Sequence, residues 1–187
     1  MQRQKLKQIR RQISGEDRIL HRDQLYQQFI KCFANLSYRR IASYRANDEE
    51  AAPDKIDQFL KTHNNRLYYP VLHPCRQNFL QFIEGEKKWR KNRFDLFEPE
   101  FNAYNSIAPW ELDLVIAPLV GFDLDKNRLG SGGGYYDRSF AFKKQYQLKS
   151  PLLVGLAFDE QEILEKVAFE TWDIKMDFII TPSRVIR

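Results

Sequence analysis

The residues best placed to do chemistry stand in one run, Arg128-Leu129-Gly130-Ser131-Gly132-Gly133-Gly134-Tyr135-Tyr136-Asp137-Arg138. Five of the chain's 8 glycines fall at Gly121, Gly130, Gly132, Gly133 and Gly134, so their purpose is local rather than general flexibility. Three successive glycines are costly to order, and a plain turn needs only one. Glycine lets the backbone approach a ligand closely and take positive φ. Where such a loop opens a helix, free N–H groups and the partial positive charge of the helix start face an anion. The chemistry implied is phosphate binding; a glycine-rich turn without a ligand is the plainer alternative. The spacing excludes two familiar phosphate loops. The string GxxxxGK[ST] does not occur, and GxGxxG counted from Gly130 ends on Tyr135 instead of glycine.

A loop of this kind needs a strand before it and a helix after it. Leu112 to Ala117 is a short apolar run rich in branched residues, as a buried strand is, and Pro118 stops it. Tyr135, Tyr136, Asp137, Arg138, Phe140 and Phe142 open a predicted helix. Upstream, residues 3–13 read as a basic helix with Leu6, Ile9 and Ile13 on one face. Ser14, with an acid three residues later, reads as the N-cap of a second helix over 16–35, striped by Ile19, Leu25, Phe29 and Phe33. A short strand over 40–44 is expected, then a loop over 45–53 and a helix carrying Ile56, Phe59 and Leu60. Residues 66–72 are strand-like, ended by Pro70 and Pro74, and the alternation over 78–84 followed by Gly85 predicts an antiparallel pair. Residues 100–110 look irregular. Further strands are expected over 152–158 and 177–181, with a short helix over 160–167 between them. Alternating strands and helices predict an α/β fold, a three-layer α/β/α architecture with a mostly parallel, mixed central sheet, in a single domain spanning 1–187.

The chain has 187 residues, 43% hydrophobic and 29% charged, which is ordinary for a globular protein. No apolar run approaches the length of a membrane span, and no apolar stretch follows the basic N-terminus as in a secretory signal. Cys32 and Cys75 lack metal-type spacing, so reduced thiols and a cytoplasmic location are expected. A net charge of +5 favours anionic partners. Basic residues are densest over 2–22 and 87–93, where a solvated helix face is the usual cause. No RNA-module or helix-turn-helix pattern supports a nucleic-acid partner.

The central stretch also resembles the signature of the 5-formyltetrahydrofolate cyclo-ligase family: a buried strand, P-x-x-x-F-D, then N/Q-R-L-G-x-G-G/K-G-Y/F-Y-D. Pro118, Phe122, Asp123, Arg128, Leu129, Gly130, Gly132, Gly134, Tyr135, Tyr136 and Asp137 stand in register with it. The resemblance implies conversion of 5-formyltetrahydrofolate to 5,10-methenyltetrahydrofolate with ATP as co-substrate and Mg²⁺ as the metal. It places ATP at Arg3 and at Arg128, Leu129, Gly130, Ser131, Gly132, Gly133, Gly134, Tyr135 and Tyr136, with Arg128 and Tyr136 catalytic. It places the folate at Glu50, Phe94 and Tyr136, and Mg²⁺ at Asp137 and Asp173. The folate is expected with or without a polyglutamyl tail, and a monomer with neither nucleic-acid nor membrane partners is expected. Several positions depart from the family pattern. A lysine expected four residues before Arg3 has no counterpart, Gly133 stands where some relatives carry lysine, and Pro53 replaces a threonine beside the folate loop. Asp95 replaces glycine in the segment Asn92-Arg93-Phe94-Asp95-Leu96-Phe97-Glu98-Pro99. With two cations missing, Arg128, Arg138, Lys126 or Arg3 must neutralise the phosphates.

Taken singly, several of these residues read otherwise: Glu50 as one of three solvated loop acids, Phe94 and one of the tyrosines as core, Asp137 as a helix cap, Asp173 as a loop acid. Two other functions compete with the ligase. One is an isomerase or acyl-group transferase on a phosphorylated metabolite, using the glycine loop without ATP. The other is a non-catalytic basic protein whose first helix binds nucleic acid. Arg128-Leu129-Gly130 together with Tyr136-Asp137 and distant Asp173 favours the ligase.

Overall fold

The computed structural model describes residues 2–35, 38–85, 88–164 and 170–187. The chain opens with α1 (Gln2–Gln12) and α2 (Gly15–Phe33), separated by Ser14. Ser14 is the N-cap of α2: the Asp17 N–H donates to its Oγ at 3.1 Å, which satisfies one of the helix's free donors. There follow β1 (Arg40–Ala42), α3 (Asp54–Thr62), β2 (Arg66–Leu72), β3 (Leu80–Glu84), the hairpin β4 (Trp89–Lys91) and β5 (Phe97–Pro99), and β6 (Ser106–Ile107). The second half holds β7 (Leu114–Pro118), the small hairpin β8 (Gly121–Phe122) and β9 (Arg128–Leu129), α4 (Tyr135–Gln145), β10 (Leu152–Leu156), β11 (Phe178–Ile180) and β12 (Val185–Ile186).

Among the described residues the main sheet runs β12-β11-β10-β7-β1-β2-β3-β6. The five strands β11, β10, β7, β1 and β2 are parallel, with antiparallel β12 at one edge and β3 and β6 at the other. This is the expected mixed, mostly parallel sheet. One core lies under α2 and α3, where Leu25, Phe29, Ile56 and Leu60 meet Ile41, Leu114, Ile116 and Val154. The other lies under α4, where Phe140 meets Val115, Ala117, Leu153 and Phe82. Both faces of the sheet are therefore covered, which is why its central strands read as continuous apolar runs.

Two local expectations fail. Residues 160–167 do not begin a helix: Asp159–Gln161 make one 3₁₀ turn, and Glu162 then bridges Phe122 in extended form. The Gln161 side chain explains this. Its amide donates to the carbonyls of Leu119 and Val120 at 2.7 and 3.0 Å, binding the turn to the loop after β7. The remainder, 165–167, lies outside the described residues, as does Lys87 of the second basic run. Nor does Pro70 end β2, which continues to Leu72 with Pro70 opposite Phe82 of β3. Pairing with β1 stops at Tyr68, so β2 has an open edge beside Pro70 that tolerates a residue without an N–H.

Asp57 joins α3 to the sheet by accepting from the Tyr69 hydroxyl at 3.0 Å. Burial pushes its pKa up from 3.8 to about 6, against the pull of the Ser43 and Tyr69 hydroxyls and the Lys61 charge. A raised native pKa means that the folded chain holds a proton that the unfolded chain has released. The stability this supplies is full below the unfolded value and is lost as pH rises through about 6. Asp57→Asn should therefore raise the melting temperature by a few degrees near pH ~7.5, an advantage that shrinks toward pH ~4. Calorimetric scans across that range check it; a shift independent of pH assigns the effect to packing instead.

Candidate functional site

The position of the site follows from the topology. From β1 the chain moves to β2 on one side; from β7 it moves to β10 on the other. The connections diverge between β1 and β7, and in open α/β sheets ligands bind outside the carboxyl ends of the strands at such a point. The two loops that leave there are 43–53, carrying Glu50, and 119–134, carrying the glycines. Between them opens a cavity of about 1020 Å³. That is the upper limit of the roughly 300–1,000 Å³ usual for one small ligand, and it gives room for two side by side.

The glycine loop forms one wall. Its last residue, Gly134, is the N-cap of α4 and takes φ 65°, and Gly132 takes φ 108°; these left-handed values are why glycine is needed at both. Arg128, only 8% exposed, lies behind the loop with its guanidinium 5.1 Å above the Tyr136 ring. One of its terminal nitrogens donates to both carboxylate oxygens of Asp137, at 3.0 and 2.9 Å. Its Nε is buried and has no partner among the described residues. Arg3 reaches across from α1 and donates to the Gly130 carbonyl at 3.1 Å; Arg138 donates to the Gly133 carbonyl at 2.8 Å. Arg3, Arg128 and Arg138 all line the cavity. Lys126 does not: it occupies a turn between β8 and β9 with φ 63°, and its carbonyl accepts from the Met176 N–H at 3.0 Å. Three arginines thus face the cavity beside the glycine loop.

Helix α1 braces both loops. Arg10 and Arg11 donate to Glu49 at 3.4 and 2.6 Å, and Arg10, 4% exposed, also donates to the Leu119 carbonyl at 3.4 Å. Beside Glu49, Glu50 lines the cavity and accepts from the Asn47 N–H at 3.1 Å. It is not a solvated loop acid. Burial pushes its pKa up, and the Asn47 N–H and the Arg10 charge only partly offset this. Pro53 occupies the N-cap of α3 without a side-chain cap bond, as the lost threonine implies. The Tyr136 phenol is also pushed up by burial, against the pull of Arg128.

Of the two acidic positions, Asp173 is a loop acid as its isolated reading has it, whereas Asp137 is not the cap expected. Asp137 sits in the first turn of α4, where negative charge is favourable, pairs with Arg128 and accepts from the Ile174 N–H at 3.3 Å. Asp173 accepts from the Glu170 N–H at 2.9 Å in a turn that lines the same cavity. Among the described residues no group of three or more His, Cys, Asp or Glu side chains could hold a metal. Two carboxylates suit Mg²⁺ nonetheless, since that ion takes its remaining oxygens from phosphate and water.

The opposite wall is the β4–β5 hairpin, which local sequence pattern does not reveal as an element. Its tip brings Phe94, 50% exposed, edge-on to Tyr135 at 5.9 Å, and Arg93 donates to the Tyr135 hydroxyl at 2.8 Å. Asp95 takes φ 60° there, a conformation that aspartate tolerates and that explains the usual glycine. Glu98, 4% exposed, fixes the hairpin by accepting from the Leu72 N–H and the Asn92 amide, both at 3.1 Å. Trp89, Phe97, Glu98, Tyr44 and Arg45 line the cavity and escape sequence reasoning. The only signal for the wall is the aromatic and basic residues flanking the Asn92–Leu96 turn.

Leu129 and Ser131 line the cavity too, so every residue expected at the site faces one space. A sequence model described as the 5-formyltetrahydrofolate cyclo-ligase family matches residues 1–182. A 5-formyltetrahydrofolate cyclo-ligase of Haemophilus influenzae is 36% identical over 185 residues, covering 94% of this chain and 97% of that one. A 5,10-methenyltetrahydrofolate synthetase of Mycoplasma pneumoniae superposes with a TM-score of 0.75 at 25% identity, over 97% of this chain and 96% of that one. The synthetase of Aquifex aeolicus, at 24% identity, shares the fold with a TM-score of 0.77 over 100% of this chain and 90% of its own. The chain belongs to the 5-formyltetrahydrofolate cyclo-ligase family.

Proposed function

We propose that the protein converts 5-formyltetrahydrofolate to 5,10-methenyltetrahydrofolate, releasing ADP and phosphate from ATP in the presence of Mg²⁺. The observation that carries this reading is the convergence of Arg3, Arg128, Arg138, the glycine loop and Glu50 on one cavity large enough for a nucleotide and a folate. An N-formyl oxygen is a poor leaving group. Transfer of the γ-phosphoryl group to that oxygen activates it; N10 then attacks the formyl carbon, loses its proton, and phosphate departs with the oxygen.

Such chemistry asks the protein for positioning and charge neutralisation rather than a nucleophile. Loop N–H groups receive phosphate oxygens, and the free Arg128 Nε is a buried donor ready for one more. Tyr136 donates from its protonated hydroxyl, Glu50 accepts from the pterin, and Phe94 and Tyr135 offer ring faces across the cavity mouth. Asp137 and Asp173 would hold Mg²⁺, whose charge neutralises the phosphates. The protein is read as a single-domain monomer of the cytoplasm, acting on folate with or without a polyglutamyl tail. Among the described residues no helix is long and apolar enough to cross a membrane.

Mixing protein, 5-formyltetrahydrofolate, Mg²⁺ and ATP tests the reading. Ring closure creates a conjugated N5–C–N10 cation with a near-ultraviolet band. A band that grows only with ATP, matched by phosphate release, supports the ligase; neither signal, with a thermal shift on sugar phosphates, favours the phosphorylated-metabolite alternative. Asp137→Asn should raise the Mg²⁺ concentration for half-maximal rate by about tenfold, the loss of one charged ligand contact. An unchanged Mg²⁺ titration removes Asp137 from the metal.

A further inference from the structure

Arg45, on the loop after β1, is held in an unusual way. Its guanidinium lies 4.6 Å from the Phe97 ring centroid and 5.2 Å from that of Trp89, packed on aromatic side chains from both hairpin strands. It is exposed, lines the cavity, and has no carboxylate partner among the described residues. Other arginines around the site are committed: Arg128 to Asp137, Arg10 and Arg11 to Glu49, Arg90 to Glu98. Arg138 and Arg3 are bound to loop carbonyls beside the glycines. Arg45 instead packs on the hairpin rings and makes no such ion pair or carbonyl bond among the described residues.

Contact with two aromatic rings limits the motion of a guanidinium while leaving its N–H groups able to donate. Such a guanidinium, ordered before the ligand arrives, matches a carboxylate bidentately. The phosphate wall has its own three arginines, so the anion left for Arg45 belongs to the second ligand. We infer that Arg45 receives a carboxylate of the glutamyl end of the folate, making it a specificity determinant that distinguishes a glutamyl-bearing pterin from the same ring system without one. This rests on the reading of the substrate given above.

The test is calorimetric binding of 5-formyltetrahydrofolate and of its tail-less counterpart, 5-formyltetrahydropteroate, to wild type, Arg45→Leu and Arg45→Lys. Leucine keeps an apolar group against Trp89 and Phe97, so the hairpin remains packed. Arg45→Leu should weaken the glutamyl form about tenfold and leave the tail-less form unchanged, with Arg45→Lys intermediate because it keeps the charge and loses the fork. Equal weakening of both forms, or of neither, overturns the inference, as does wild type binding both forms alike. Wild type that binds the glutamyl form but closes no ring with ATP refutes the ligase reading, while the role of Arg45 is still decided by the binding ratios. Wild type that binds neither form refutes both.

Discussion

Arg128→Ala should lower turnover by about three orders of magnitude, the lower bound of what an arginine on a transferring phosphoryl group contributes. The side chain sits behind the glycine loop, its Nε without a partner among the described residues and its terminal nitrogen on Asp137. It therefore has a donor to spare for charge that develops during transfer, in a setting too enclosed for water to replace it. The same substitution strands Asp137, a partly buried carboxylate, and should cost about 1–3 kcal/mol of stability. Rate and melting temperature must be read together. Arg128→Lys separates the two effects: it retains a cation for Asp137 but not the fork, so stability should recover more than turnover. Near-normal turnover by a folded Arg128→Ala removes the residue from the site.

Glu50→Gln should raise the KM for 5-formyltetrahydrofolate by about 30-fold, the worth of a charge-assisted pair of hydrogen bonds at roughly 2 kcal/mol. A pterin presents adjacent ring and amino N–H donors that a carboxylate accepts together; glutamine must turn a donor toward one of them. The wild type adds a pH signature. Because burial raises the Glu50 pKa, protonation begins at a higher pH than for an ordinary glutamate, and folate binding should weaken as pH falls through that raised value. The Gln variant lacks this limb. Parallel pH profiles for the two proteins would return Glu50 to a structural role.

The parts of the site that are legible in the sequence are those whose function and local backbone coincide. Gly132 and Gly134 need positive φ, Pro118 ends a strand of branched residues, and Ser14 caps a helix; each is visible within a few positions. Glu50 is different. Among three neighbouring acids nothing local marks it, and only the divergence of the sheet between β1 and β7 sets it opposite the glycines. The hairpin wall is less visible still, because β4 and β5 are three residues each and their alternation is too short to register. Residues 160–163 mislead for a related reason. Their spacing is helical, but the Gln161 amide is committed to two carbonyls about forty positions upstream, and tertiary bonding overrides the local preference.

The bond from Arg3 to the Gly130 carbonyl joins residues 127 positions apart, and the one from Ile174 to Asp137 adds a segment near the other end. The order in which the chain is made thus matters to the cavity. Helix α1 can meet Glu49 early, through Arg10 and Arg11, but its hold on the glycine loop through Arg3 must wait for residue 130, and Asp137 gains its bond from Ile174 only later still. Contacts this distant close slowly, because the intervening chain must first be ordered. A ligand that needs both the Glu50 loop and the glycine loop therefore stabilises the chain only once these distant segments have met.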